Sequence, residues 1–497
     1  MDHYIIDSLV IILCLGGYFW SWKLYRQNRF RPAVFLLSLC ALLIYCFVAS
    51  DLYLHTWDER FHALVAKNLM SHPWVPTLYD NPALPSQERS WVSSHIWLHK
   101  QPIPLWLMAG SMKLFGVHEF AVRLPSVLMS TLGVGLIFSI GKYLYHEKVG
   151  FIAAFLFSIN GLILELTGGR IATDHIDVHF LFFVLLAVFL TVRFIQKGHW
   201  SYSIFMGLSI GAAILTKWLP ALIVLPIWLL LVADSKRFSR NQMALNFGLI
   251  LLTTVVVALP WQVYINQEFP VQAAYEAEFN YRHFTEELDG RGAPFYYFLN
   301  QIRINYGELI YLPLLWFLWK MIKSPQNYRR MALLLWFVIP LLVFSMAKTK
   351  MQGYLVFTAP ALFLITAEFY GWVQENREKF TYPWVAQLLL FLFIFLPARY
   401  GVERMKPFDD RIKNPQWAIE LRSLGKEPIE KGVLLNYERN IEAMFYTNLT
   451  VYSHLPNRAE IEDLVHRGYR VIIHDEGIPD DIKSMDQVEF RSFHLSP

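Results

Sequence analysis

Long apolar runs recur along the chain, separated by short polar connections. A helix needs about 20 apolar residues, with a range of roughly 17 to 25, to cross a bilayer. The pattern predicts spans at 4–21, 32–50, 121–144, 149–167, 176–195, 202–217, 219–233, 243–264, 307–322, 331–347, 353–371 and 383–397. Ile103–Phe115 is apolar but shorter, and is expected to form an interfacial or re-entrant helix. The pattern changes after Pro397: residues 405–497 carry many charges and no run long enough to span. There, β-like runs at Gly432–Leu435, Thr450–Leu455 and Arg470–His474 alternate with helix-like stretches at Ile441–Tyr446 and Arg458–His466. That alternation predicts a small α/β domain. The expected fold is mainly α: a polytopic transmembrane helical protein of about 12 spans with a small extracytoplasmic α/β C-terminal domain. The expected division is 1–50 for the first two helices, 51–120 for a catalytic loop with its interfacial helix, 121–400 for the helical core and 401–497 for the C-terminal domain.

Composition agrees with a membrane protein. Of 497 residues, 55% are hydrophobic and only 17% are charged, against about 25% charged in a soluble protein. The net charge of +4 is small and gives no reason to expect nucleic-acid binding. Cys14, Cys40 and Cys46 all lie inside apolar runs, which leaves no exposed disulfide and no cysteine metal site. The first twenty residues lack a basic n-region and a small-residue cleavage site, so a retained helix is expected there rather than a signal peptide.

Charge then sets orientation. Lys23, Arg26, Arg29 and Arg31 follow the first span, Lys142 and Lys148 the third, and Arg193 and Lys197 the fifth. Lys236, Arg237 and Arg240 follow the seventh, Lys320, Lys323, Arg329 and Arg330 the ninth, and Arg377 and Lys379 the eleventh. Short basic connections face the cytoplasm. The alternate ones, including 51–120, 168–175, 265–306 and 347–350, are therefore expected outside.

One of these outer connections is dense in reactive groups. Between Asp51 and Lys100 lie Asp58, Glu59, Arg60, five histidines (His55, His62, His72, His95, His99) and four interleaved tryptophans. Connections beyond about 15 residues are uncommon unless functional or disordered, and the aromatics argue against disorder. Adjacent carboxylates at a membrane surface suit a general base, a metal ligand or both. On a continuous helix Asp51, His55, Asp58 and His62 would share one face and suit a transition metal, or form an ordinary solvated face. Lys100, where the loop returns to the membrane, is either a snorkelling anchor or a phosphate ligand. Arg123 has the same two readings. Arg170 and Asp174 are spaced to pair, or Asp174 approaches Asp58 from a second loop. Lys217, Arg282 and Arg291 are further cations on this side. Lys348, Lys350 and Tyr354 sit at a helix end where a lipid phosphate would lie.

As an ordered set these pieces resemble the GT-C class of membrane glycosyltransferases, in the branch of the protein O-mannosyltransferases and the lipid A aminoarabinose transferase. The matching stretches are Asp58-Glu59, Lys100-Gln101-Pro102, Phe115-Gly116 with Arg123-Leu124-Pro125-Ser126, Asp174, Thr216-Lys217, Leu259-Pro260-Trp261, Pro294-Phe295-Tyr296-Tyr297 and Ser345 through Tyr354. They run from about residue 50 to 370, and the span at 4–21 is an addition to the family's usual start. The resemblance implies a polyprenyl-phosphate-linked sugar donor, an extracytoplasmic acceptor and a place in the bacterial inner membrane. It implies Asp58 as base or acceptor-orienting carboxylate, with Glu59 and Asp174 shaping the acceptor or sugar site. It assigns Lys100, Lys350 and Tyr354 to the lipid phosphate, with Arg60, Arg123, Lys217, Arg282, Arg291 and Lys348 as further substrate-binding candidates. A divalent metal is an open possibility, with Asp58, His62 and His99 as candidate ligands. Phe61 stands where the aminoarabinose branch has an arginine. His99 and Arg291 replace a glutamate and a histidine at that branch's metal-associated positions. The rival reading is a transporter or flippase of lipid-linked sugars. It would call for internal repeats and midplane charges, whereas the charges here gather at one surface and no repeat is evident.

Overall fold

The computed structural model describes residues 2–406 and 412–495, with side chains from residue 7 onward. Helices α1 (Asp2–Arg26) and α2 (Phe30–Val48) precede the reactive loop, which contains α3 (Asp58–Leu69) and α4 (Pro102–Phe115). The bundle continues through α5 (Glu119–Leu144), α6 (Glu147–Ser158), α7 (Gly161–Thr167), α8 (Asp174–Lys197), α9 (Ser201–Lys217) and α10 (Val224–Ser235). Then come α11 (Arg240–Glu268), α12 (Pro270–Thr285), α13 (Tyr297–Tyr306), α14 (Tyr311–Lys323), α15 (Tyr328–Met346), α16 (Ala359–Glu375) and α17 (Pro383–Met405).

Among the described residues, eight helices are long and apolar enough to cross a membrane, and α6 with α7 adds a ninth if that pair, bent by 53°, is one span. The other expected spans are shorter: α9 has 17 residues, α14 has 13, and Leu219–Ser235 is a shorter apolar helix. The bend between α6 and α7 falls at Asn160. Its Oδ1 accepts the Ile163 N–H at 3.1 Å, and its Nδ2 donates to the Asn305 carbonyl at 2.7 Å. The polar groups freed by the break are thus satisfied inside the protein, as a membrane interior requires. Apolar faces such as Leu252, Val256 and Leu259 of α11 are more than half exposed, which in a bilayer is contact with lipid.

Beyond α17 the chain forms α18 (Gln416–Leu424), β1 (Gly432–Leu435), α19 (Asn440–Tyr446), β2 (Thr450–Val451), α20 (Arg458–His466), β3 (Arg470–His474), α21 (Asp480–Lys483) and β4 (Glu489–Arg491). The four strands pair in parallel in the order β2-β1-β3-β4, with Val433 opposite Val471 and Leu434 opposite Ile472. Parallel strands covered on both faces need continuous apolar runs, and β1 and β3 supply them. β4 carries no such run, which is why its residues give no strand signal.

Among the described residues two hydrophobic cores result. One fills the helical bundle. The other joins α3, α4 and the sheet in a single cluster, so that Phe61, Leu64 and Trp97 share a core with Leu434, Phe445 and Ile472. The reactive loop is therefore packed between the bundle and the sheet. Polar ties reinforce this. Lys67 Nζ donates to the carbonyls of Met444, Phe445 and Thr447 at 2.7–2.9 Å, satisfying two C-terminal carbonyls of α19 and that of the residue after it. At the other end of α3, Arg60 Nη1 lies 3.3 Å from the buried carboxylate of Glu442 in α19.

Candidate active site

The start of α3, the turn into α8, the end of α9, the 279–291 stretch and the 347–354 segment surround a cavity of about 1250 Å³. Its polar wall includes Asp58, Arg60, His99, Lys100, Lys217, Arg291 and Tyr354. Its apolar wall includes Leu222, Pro226, Ile339 and Val343, from the helices around α10 and α15.

Asp58 is the first residue of α3, where negative charge suits the helix dipole. Its Oδ2 accepts the Thr173 N–H at 3.2 Å and lies 3.6 Å from Lys100 Nζ. Burial alone would raise its pKa, but Lys100, His62, His99 and the Thr173 N–H together bring it down to about 2. The carboxylate is ionised and faces the cavity. Lys217, the last residue of α9, forms an ion pair with Asp177 one turn into α8. Its Nζ sits 4.6 Å from the centre of the Tyr354 ring, a cation–π contact. Arg291 stacks its guanidinium 5.0 Å from the Trp57 ring centre and has no carboxylate within ion-pair distance among the described residues. Each of the other three Lys or Arg cations of this wall has a carboxylate partner: Lys100 has Asp58, Lys217 has Asp177, and Arg60 has Glu442.

His99 is stacked on Trp91 and places Nδ1 3.1 Å from Glu276 Oε2. Burial and then Lys100 hold His99 well below its ordinary pKa. Burial raises Glu276 to about 7 against the pull of Lys100 and His283.

Several expected site residues lie elsewhere. Glu59 is fully buried and bound by Arg123, Nε to Oε1 at 2.6 Å and Nη2 to Oε2 at 2.9 Å. Arg123 also donates to the carbonyls of Ala49, Asp51 and Tyr53, so it is neither an interfacial anchor nor a phosphate ligand. Glu59 packs against Gly169, whose φ of +70° suits glycine and whose missing Cβ leaves room for the carboxylate. Asp174 is buried on His62, 3.0 Å away, rather than lining the cavity. Arg170 lies 3.5 Å from Asp51, not paired with Asp174. Lys350 donates to the carbonyls of Ala293 and Ala347, and its N–H donates to the Arg291 carbonyl at 3.0 Å. It holds the Arg291 loop and does not face the cavity. Lys348 is exposed, and Arg282 of α12 pairs with Glu286 just beyond that helix; neither lines the cavity.

The metal reading does not fit this donor arrangement. α3 begins at Asp58, so Asp51 and His55 precede it and the four-residue helix face does not form. Among the described residues no group of three or more His, Cys, Asp or Glu side chains is arranged to hold an ion.

Thr173, Asp177, Glu276 and Glu442 were not singled out from the sequence. Asp177 had a usable signal: a second acid three residues after Asp174, inside an apolar helix, where ionisable groups are costly. Glu442 had none, because its partner lies 382 residues away.

Residues 99–261 match the family model described as dolichyl-phosphate-mannose-protein mannosyltransferase. The chain is 26% identical over 319 residues to the undecaprenyl phosphate-alpha-4-amino-4-deoxy-L-arabinose arabinosyl transferase of Pseudomonas savastanoi pv. phaseolicola, covering 59% of this chain and 56% of that one. It is also 26% identical over 354 residues to transferase 2 of the same name from Proteus mirabilis, covering 66% and 58%. The chain thus spans a little over half the length of these relatives. In structure it is similar to ArnT from Cupriavidus metallidurans bound to undecaprenyl phosphate, with a TM-score of 0.61 at 15% identity over 87% of this chain and 88% of that one. The archaeal oligosaccharyltransferase AglB from Archaeoglobus fulgidus gives a TM-score of 0.55 at 14% identity, over 84% and 64%. In fold the chain is similar to ArnT and AglB, and over the stretch of sequence that matches it is similar to the aminoarabinose and dolichyl-phosphate-mannose-protein transferases.

Proposed function

We propose that this protein transfers a sugar from a polyprenyl-phosphate donor to an acceptor outside the cytoplasm, in the bacterial inner membrane, with inversion at the anomeric carbon. The observation that carries the reading is the cavity itself: an ionised carboxylate, Asp58, beside Lys100, in a space that also holds Arg291, a cation without a carboxylate partner among the described residues, above an apolar wall. A lipid-linked phosphate has the matching chemistry, an anion at the end of an apolar chain. The names of the relatives, which refer to undecaprenyl phosphate and dolichyl phosphate, support the same donor class. Basic short connections on the opposite side support an outward-facing site and an outward-facing sheet.

The chemistry follows from the residues. The donor phosphate lies against Arg291, with Lys217 and Tyr354 nearby. Asp58 accepts the proton of the acceptor hydroxyl as its oxygen bonds to the sugar's anomeric carbon. The bond from that carbon to the phosphate oxygen breaks through an oxocarbenium-like transition state. Polyprenyl phosphate leaves with its charge balanced by the cations, so no strong general acid is needed. Lys100 keeps Asp58 ionised and close to the reacting oxygen. Glu59 and Asp174 shape the site from behind through Arg123 and His62.

The test is to incubate purified protein with a panel of polyprenyl-phosphate sugars and acceptor lipids and assay free polyprenyl phosphate. Sugar-dependent release is the expected result. Movement of intact lipid-linked sugar across vesicles without release would establish the flippase instead.

A further inference from the structure

Thr173 occupies an unusual place between the two acid–lysine pairs of the cavity. It is a β-branched residue with φ of +71°, followed by Asp174 at +33°. β-Branched residues almost never adopt this left-handed region unless the surroundings hold them there. Here the surroundings do so on both sides. The Thr173 hydroxyl donates to Asp177 Oδ2, while Asp177 Oδ1 takes Lys217. The Thr173 N–H donates to Asp58 Oδ2 at 3.2 Å. Gly353 backs the arrangement: a Cβ there would lie 2.5 Å from Asp177 Oδ2 and 2.9 Å from Thr173 Oγ1. A continuous polar chain therefore runs from Lys217 through Asp177 and Thr173 to Asp58 and Lys100.

We propose that Thr173 is the positioning residue that aims Asp58, with its hydroxyl anchored on Asp177 so that its N–H stays directed at the Asp58 carboxylate. This rests on the glycosyl-transfer reading above and adds to it that the turn into α8, rather than α3 alone, fixes the base. With the hydroxyl bond removed, the backbone has less reason to remain in the left-handed region. The N–H then turns from Asp58, and the carboxylate is free to swing toward Lys100. Arg291, against which the donor phosphate lies, is outside this polar chain, and Lys217 keeps its Asp177 partner. The loss therefore falls on kcat and not on the donor KM.

The experiment measures sugar transfer by the full-length protein in detergent or nanodiscs for the parent, Thr173→Val, Thr173→Ser, Asp58→Asn and the Thr173→Val, Asp58→Asn double variant. A hydrogen bond to a charged group corresponds to about a 10- to 100-fold effect. Thr173→Val should lose kcat by that factor with its donor KM within about twofold, and Thr173→Ser should recover most of it. In the Asp58→Asn background, Thr173→Val should cost little more, because the residue it aims is already disabled. Parental kcat in Thr173→Val, an equal loss in Thr173→Ser, or the same loss in the Asp58→Asn background each overturns the inference alone. A parent that releases no polyprenyl phosphate from any donor overturns the glycosyl-transfer reading, and this inference with it.

Discussion

Arg123 grips Glu59 through two parallel hydrogen bonds at 2.6 and 2.9 Å, with both side chains fully buried. The carboxylate adjacent in sequence to the proposed base is thereby committed to holding α3 against the carbonyls that follow α2. Removing one partner of such a pair leaves an uncompensated buried charge, at about 3–5 kcal/mol. Glu59→Gln and Arg123→Met should each lower the thermal unfolding midpoint in detergent well below that of the exposed-site control Lys348→Ala. Unchanged melting in both would return Glu59 to the list of groups free to act on substrate.

Asp58 is the first helical residue of α3, and the N-terminus of that helix shows no side-chain capping bond. Asp58→Asn should therefore fold normally and still bind donor, while single-turnover transfer falls by ~10²–10⁴. Near-parental turnover would move the base elsewhere in the cavity.

Arg291 faces the cavity without a carboxylate partner among the described residues, so of the cavity's lysines and arginines it is the one most available to an incoming phosphate. A charge-assisted contact contributes about 1.5–3 kcal/mol. Arg291→Gln should raise the donor KM by about 10- to 100-fold. Arg377→Ala, which alters an exposed pair with Glu378, should leave it unchanged. Equal donor kinetics in the two variants would remove Arg291 from the phosphate site.

Glu276 gives a pH dependence with a definite sign. Its reference pKa is 4.5, and burial brings it to about 7 in the fold, so the folded state prefers the protonated form. That preference is fully present below 4.5 and is lost as pH rises through 7. Between these values the parent should lose thermal stability with rising pH relative to Glu276→Gln, which stays neutral. Parallel melting curves across that window would show that Glu276 is ionised in the fold.

The sequence exposes which end of the bundle is reactive, because ionisable residues gathered at helix ends stand out against apolar spans. Asp58, Lys100, Lys217, Arg291 and Tyr354 line the cavity and were legible for that reason. The distinction between Asp58 and Glu59 was not legible. Successive helix residues differ by about 100° in direction, so neighbours in sequence reach opposite environments, and which one meets the cavity depends on how α3 is docked. Arg123 and Lys350 misled in the same way. Each looks like an interfacial cation, and only the fold reveals the carbonyls each one reaches. The strand β4 was missed because Glu489–Arg491 carries no apolar run.

The clasp between Lys67 and the end of α19 also has a consequence in time. Its two sides, Lys67 and Met444, are separated by 377 residues. At about 5–20 residues per second, a ribosome needs roughly 20–75 s to make that interval. During this delay α3, which bears Asp58, is without the sheet that shares its core. Until the final portion has been translated and folded, α3 lacks the partners that complete its core. Chains interrupted late in synthesis would carry α3 and Asp58 without the sheet-side half of the core that holds them.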